Sequence, residues 1–220
     1  MPVDFDIIRE ALPVLMKGLQ MTVLVSVIGI PAGILAGGLF AYMGESRNRP
    51  ARLLAKFYVE LVRSIPFLIV IYLSYFGLPK LGLRLSAFHV ALAATAFYTG
   101  GYFCEVMRAA LHSVPRGQVQ ASRSLGMSAW TTQFHIVLPQ LLSFLIPPTT
   151  SLVIMMFKDT AIFSVVTLPE LTYQSNLLTS ESFAYVEILG TAAVIYWLCS
   201  LVLDTAGQLL ERRVTRWMRG

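Results

Sequence analysis

Long apolar stretches constrain this chain before anything else does. A helix needs about 20 largely apolar residues to cross the hydrocarbon core of a bilayer, and the sequence supplies five such stretches, at about 19–43, 57–78, 86–111, 132–157 and 184–203. With 56% hydrophobic and 13% charged residues in 220, the chain lies well outside soluble globular composition. The expected fold class is therefore an all-α membrane protein with five transmembrane helices. The first span is rich in small residues, among them Gly29, Gly33, Gly37 and Gly38, which let helices approach closely. Residues 1–17 precede it as an N-terminal segment, expected to run along the membrane interface. The stretch 169–183, with Glu170 and Glu181, reads as a loop or short helix outside the core.

The charge pattern sets an orientation. Arg47, Arg49, Arg52 and Lys56 follow the first span; Arg108, Arg116 and Arg123 follow the third; Arg212, Arg213, Arg216 and Arg219 follow the fifth. The other side holds Arg9, Lys17, Lys80 and Arg84 among the acids Asp4, Asp6, Glu10, Glu170 and Glu181. Basic loops stay cytoplasmic, so the N-terminus is expected outside and the C-terminus inside, with 212–220 as a basic cytoplasmic tail. The formal charge of +5 is thus a topology signal, and no nucleic-acid partner is expected. The acidic start, MPVDFDIIRE, does not resemble a signal peptide.

One polar, weakly basic island, about 118–135, interrupts the spans. Pro115 and Gly117 break the preceding helix, since proline lacks an amide donor and glycine tolerates positive φ. Residues 119–125 carry small or apolar side chains at Val119, Ala121 and Leu125, which suits a short amphipathic helix, and Gly126 ends it as a C′ residue. Trp130, Phe134 and Ile136 then open a new hydrophobic helix, with Pro139 near its start. A membrane protein that sets a short helix between two spans has a handle for something outside the bilayer.

The order Gln120-Ala121-Ser122, three residues, Gly126, nine residues, Ile136-Val137-Leu138-Pro139 resembles the EAA loop of permease subunits in bacterial ABC importers. Further segments resemble the polar amino acid subfamily: Glu60 to Pro66 (ELVRSIP), Tyr75 to Pro79 (YFGLP), Glu105 to Arg108 (EVMR), Ser113 to Gln118 (SVPRGQ), Leu138 to Gln140 (LPQ) and Lys158 to Thr160 (KDT). They occur in the family's order and span about 18–211. The resemblance implies a type I (MetI-like) importer permease fold and a multi-pass protein of the bacterial inner membrane. It also implies a set of partners: a cytoplasmic ABC ATPase dimer that binds ATP and Mg, a second permease subunit, identical or paralogous, and an extracytoplasmic solute-binding protein. By the same resemblance, Gln120, Ala121, Ser122, Leu125 and Gly126 couple the chain to the ATPase. No cofactor is expected in this chain itself.

Charges in or beside the spans are costly unless paired or facing water. Glu60 and Arg63 lie three apart, as do Glu105 and Arg108, a spacing that permits two intrahelical ion pairs with a structural or gating role. Lys158 and Asp159 end the fourth span, followed by Thr160. They either line a polar cavity or neutralise each other in a buried turn, and Ser151, seven residues earlier on the same helical face, borders the same place. The chain departs from the family pattern at Gln120 for Glu, Ser122 for Ala, Ser64-Ile65 for Gly-Thr and Ala161-Ile162 for Ser-Leu. Leu152 stands where members often carry a polar or acidic residue, which disfavours a cationic substrate.

Catalytic motifs are absent from the sequence: there is no G-x-x-x-x-G-K-[ST] phosphate loop, no G-x-S-x-G elbow and no H-E-x-x-H pair. His89, His112 and His135 are too scattered for a metal site, and Cys104 and Cys199 lie within apolar spans. A self-contained secondary transporter is the alternative reading, but such transporters commonly carry internal repeats, and none is visible. A membrane scaffold without transport would gain little from placing Lys158 and Asp159 inside a span.

Overall fold

The structure is a computed structural model that describes residues 4–215, the side chain of Arg116 excepted. Arg216 and Arg219 of the expected tail, and residues 1–3 of the N-terminal segment, lie outside the described residues. The described residues contain helices and turns and no strand.

Helix α1 (Phe5–Gly44) is a single helix of 40 residues, about 60 Å long. Asp4 caps its start, with Oδ1 accepting from the Asp6 amide at 2.9 Å. The segment expected to lie before the first span thus runs into it without a break. Its residues Ala11 and Leu15 pack in a small core with Leu171, Ile188 and Ala192.

The second expected span is bent. Helix α2 (Arg49–Ser64) and helix α3 (Phe67–Tyr72), which continues through a π turn (Leu73–Gly77) and a 3-10 turn (Leu78–Leu81), meet at 103°. Pro66 dictates the break: it has no amide to donate, and it holds Ile65 extended, at φ −104° and ψ 128°. The carbonyl freed at Ile65 accepts from the Tyr98 hydroxyl at 3.1 Å, so the break is closed by a side chain of the next helix.

Helix α4 (Ala87–Ser113), started by Ser86, is the centre of the bundle. Gly29, Gly33 and Gly37 of α1 face it four residues apart, and a Cβ on Gly33 would lie 2.5 Å from Thr99 Cβ and 2.7 Å from the Ala96 carbonyl. The two backbones touch because these positions carry no side chain. Tyr58 of α2 donates to the Phe97 carbonyl at 2.6 Å and stacks on Phe40 of α1.

After α4 come α5 (Arg116–Ser124), α6 (Ala129–Thr132), a π turn (Gln133–Val137) and α7 (Leu138–Asp159). A 3-10 turn (Thr160–Val166), α8 (Leu171–Ser182) and α9 (Tyr185–Thr215) follow. Among the described residues, three helices are long and apolar enough to cross a membrane: Phe5–Gly44, Ala129–Val166 and Tyr185–Thr215. The bent α2–α3 pair makes a fourth if it counts as one span. Helix α4 falls short of that apolarity. Its buried residues include Thr95, Thr99, Tyr98, Gly100 and Gly101, which face other helices rather than lipid.

The stretch 169–183 forms the short helix α8, as one of the two expected alternatives had it, and Glu181 is exposed, but one face of the helix and Glu170 enter the core. Glu170 is fully buried at the start of α8, where its carboxylate accepts from the Thr172 and Tyr173 amides at 2.8 and 2.6 Å and from the Tyr196 hydroxyl at 3.1 Å. An acid suits this place because the first amides of a helix have no helical partner.

Candidate functional site

The island between α4 and α7 is built as a rigid protrusion. Helix α4 ends at Ser113, and extended Val114 and Pro115 turn the chain sharply into α5. At the other end Gly126 adopts φ +76°, its amide donating to the Arg123 carbonyl at 3.0 Å and the Met127 amide to the Ser122 carbonyl at 3.1 Å. These two bonds form a Schellman cap, which needs a left-handed residue. The expected stop at Gly126 is where the helix ends. Ser128 then caps α6 by accepting from the Thr131 amide at 3.1 Å.

Gln120, Ala121, Leu125 and Gly126 are exposed on this protrusion, Leu125 at 81%. Ser122 faces the other way. It is buried, and its hydroxyl donates to the Val119 carbonyl at 3.0 Å and shares a hydrogen bond with Thr132 at 3.0 Å. Its place is therefore a clasp between α5 and α6 rather than a contact surface. The hydroxyl that departs from the family's alanine is what makes the clasp. On the same loop Trp130 is 74% exposed and stacked on Phe134 with centroids 5.7 Å apart. Sequence reading placed these two rings only as the start of a span. Their spacing of four within a polar island was the available sign that they share an outer face.

The two predicted intrahelical pairs are not both formed. Glu105 binds Arg108 through two hydrogen bonds of 3.0 and 2.8 Å, as expected, but Arg63 reaches across from α2 to the same carboxylate at 3.3 Å. Glu60 pairs instead with Lys56 at 3.7 Å, both largely exposed. A spacing of three allows a pair without selecting it, and Glu105 already lies opposite Arg63 where α2 packs on α4. The result is one interhelical cluster, Arg63–Glu105–Arg108. His112 approaches Glu45, the residue that follows α1, at 3.5 Å.

At the end of α7, Lys158 is exposed, Asp159 half-buried and Thr160 buried, its hydroxyl donating to the Phe157 carbonyl at 2.7 Å. Ser151 is exposed and bonds the Pro147 carbonyl at 3.3 Å, and Leu152 is buried. Lys158 and Asp159 make no ion pair with each other among the described residues. Below them Phe163 packs edge-on against Phe67, which lies on Tyr98 at 4.6 Å, so an aromatic column joins this turn to the bend at Pro66.

A bundle of long apolar helices, one bent pair at Pro66 and a capped polar loop carrying exposed Leu125 and Trp130 between α4 and α7 define an integral membrane protein. Residues 29–216 match the family described as binding-protein-dependent transport system inner membrane component. The chain is 32% identical over 213 residues to the probable glutamine ABC transporter permease protein GlnM of Bacillus subtilis (strain 168), covering 97% of this chain and 99% of that one. Identity is also 32% over 216 residues to the glutamine transport system permease protein GlnP of Escherichia coli (strain K12), with the same coverage of 97% and 99%. A crystal structure of an amino acid ABC transporter with histidines superposes with a TM-score of 0.88 at 32% identity, covering 97% of this chain and 100% of that one. An inward-facing form of the MetNI methionine ABC transporter, at 20% identity and a TM-score of 0.66 over 93% of this chain and 95% of that one, shares the fold. The chain belongs to this family of inner membrane components: it is a multi-pass permease subunit of a binding-protein-dependent ABC importer.

Proposed function

We propose that this permease carries a polar amino acid or amino-acid-like solute inward across the bacterial inner membrane as one of two permease subunits, identical or paralogous. Glutamine is the solute named for two relatives at 32% identity, and a neutral polar substrate agrees with the apolar Leu152 beside the Ser151, Lys158 and Asp159 positions. An extracytoplasmic binding protein delivers the substrate to the outer face. Two cytoplasmic ATPase subunits, which hold ATP and Mg, seat on the 118–135 loops. The chain crosses the membrane five times, through α1, the bent α2–α3 pair, α4, α7 and α9, with its basic loops inside.

The observation that carries this reading is the exposed trio Leu125, Gly126 and Trp130, on a loop fixed by the Schellman cap and the Ser122–Thr132 clasp. Exposed apolar side chains on a stiff turn pay little ordering entropy on binding, which suits a knob for a groove. Its test is co-purification of the tagged chain from its native membrane, wild type against Leu125→Asp and Trp130→Asp. Wild type should bring down an ATPase, and each variant should insert normally and lose it. Equal ATPase recovery from all three would refute the docking surface. Wild type recovered intact without any ATPase would favour a solitary transporter.

A further inference from the structure

A second feature of the molecule lies away from both the loop and the α7 turn. Where the end of α1 meets α2 and α4, a cavity of about 540 Å³ opens to the surface. Its walls carry five cations, Arg49, Arg52, Lys56, Arg63 and Arg108, against two acids, Glu60 and Glu105. The acids are already engaged, Glu60 by Lys56 and Glu105 by Arg63 and Arg108. Arg49 and Arg52 have no ion-pair partner among the described residues. Two guanidinium forks thus stand at the rim of a cavity whose floor, formed by Ala41, Ala55, Val59 and Cys104, is apolar.

We infer that this cavity binds the headgroup of an anionic phospholipid, with the phosphate held by Arg49 and Arg52. A guanidinium binds a phosphate through two parallel hydrogen bonds, and basic pockets at helix ends beside a membrane surface attract acidic headgroups. The same chemistry would accept free phosphate, but the surroundings select an amphiphile. On α2, Arg49, Leu53 and Phe57 succeed one another four residues apart, so they form one stripe about 12 Å long. Leu53 is 58% and Phe57 62% exposed. An acyl chain leaving a headgroup at Arg49 has an apolar track along the helix; a soluble anion would leave that track bare. The inference depends neither on the transported solute nor on how the ATPase docks.

The test uses the permease purified with whatever subunits accompany it, delipidated in mild detergent and titrated with cardiolipin, phosphatidylglycerol or phosphatidylethanolamine of matched chains, bound lipid being counted by native mass spectrometry. Wild type should retain the two anionic lipids about tenfold more tightly than phosphatidylethanolamine. Arg49→Gln/Arg52→Gln should abolish that preference, while Arg212→Gln/Arg213→Gln, which removes equal charge elsewhere, should keep it. Inorganic phosphate at 10-fold excess over the lipid should not compete. Equal loss in both double variants would reduce the effect to general surface charge and overturn the site. Competition by inorganic phosphate would make it a soluble-anion site. No anionic preference in wild type would mean that another subunit covers the cavity, and would also refute it.

Discussion

The contact between α1 and α4 predicts an unequal response from two glycines five residues apart. At Gly33 a Cβ would sit 2.5 Å from Thr99 Cβ and 2.7 Å from the Ala96 carbonyl, where ordinary contact begins at 3.4 Å. At Gly38 the nearest atom is the tip of the Phe103 ring, 3.9 Å away. Both replacements by alanine gain the same helix propensity, up to about 1 kcal/mol, so the difference between them isolates the steric cost. The two nearest atoms facing Gly33, the Ala96 carbonyl oxygen and Thr99 Cβ, belong to the backbone or are bonded directly to it, and no rotamer change removes them. Separating the helices enough to admit a methyl group also loosens neighbouring contacts, an overpacking penalty of about 1–3 kcal/mol. Gly33→Ala is therefore expected to be about 2 kcal/mol less stable than Gly38→Ala, roughly a 30-fold change in the folding equilibrium. Unfolding of the purified protein in mixed micelles with increasing SDS, followed by helical circular dichroism, measures it. If the two variants unfold within about 0.5 kcal/mol of each other, the seam is compliant and the close-contact argument fails.

Other outcomes follow from single sites. Gly126→Val should abolish uptake while insertion stays normal, and Gly126→Asn should keep most of it, because asparagine tolerates the left-handed conformation that the Schellman cap needs and a β-branched residue does not; equal uptake in the two would reject the cap as the cause. Glu105→Gln removes the anion shared by Arg63 and Arg108 and should cost about 1–2 kcal/mol, whereas Glu60→Gln, in a largely exposed pair, should cost less than about 0.5 kcal/mol; thermal unfolding of both variants in detergent decides the order. Glu170→Ala strips the α8 cap and leaves the Tyr196 hydroxyl without that acceptor, for a loss of about 2–3 kcal/mol by the same measurement. Asp159→Asn should lower uptake without reducing ATPase recovery, and unchanged uptake would remove Asp159 from the substrate path.

Local signals in the sequence were the dependable ones. Gly126 ends α5 because a left-handed position favours glycine whatever packs around it, and the apolar stretches mark α1, α7 and α9 for a similarly local reason. Direction was harder to read. The second stretch looked like one span because mean apolarity does not register a turn of 103°, although Pro66 and the residue before it were the places to look. Partners across space were not legible at all. The spacing of Glu60 and Arg63 suggested a pair, but Glu105 on another helix claimed Arg63. Ser122 read as a contact residue until Thr132 was found opposite its hydroxyl. Glu170 reads as an acid of a loop or short helix outside the core because nothing in the linear order places Tyr196 and the α8 amides around it.

The short link at Val114 and Pro115 sets how force would travel through this molecule. Anything gripping α5 is two residues from the end of α4, with no slack chain between them to absorb displacement. Helix α4 in turn lies directly against α1, where Gly37 meets the backbone of Gly100 and Cys104 with no side chain between. The pair behaves like a beam with a handle welded to one end. The bend at Pro66 rests against that beam through the Tyr98 hydroxyl bond to its open carbonyl and through Phe67 packed on the Tyr98 ring. A pull on the handle would therefore act on α1 and α4 together, with the bend at Pro66 beside them.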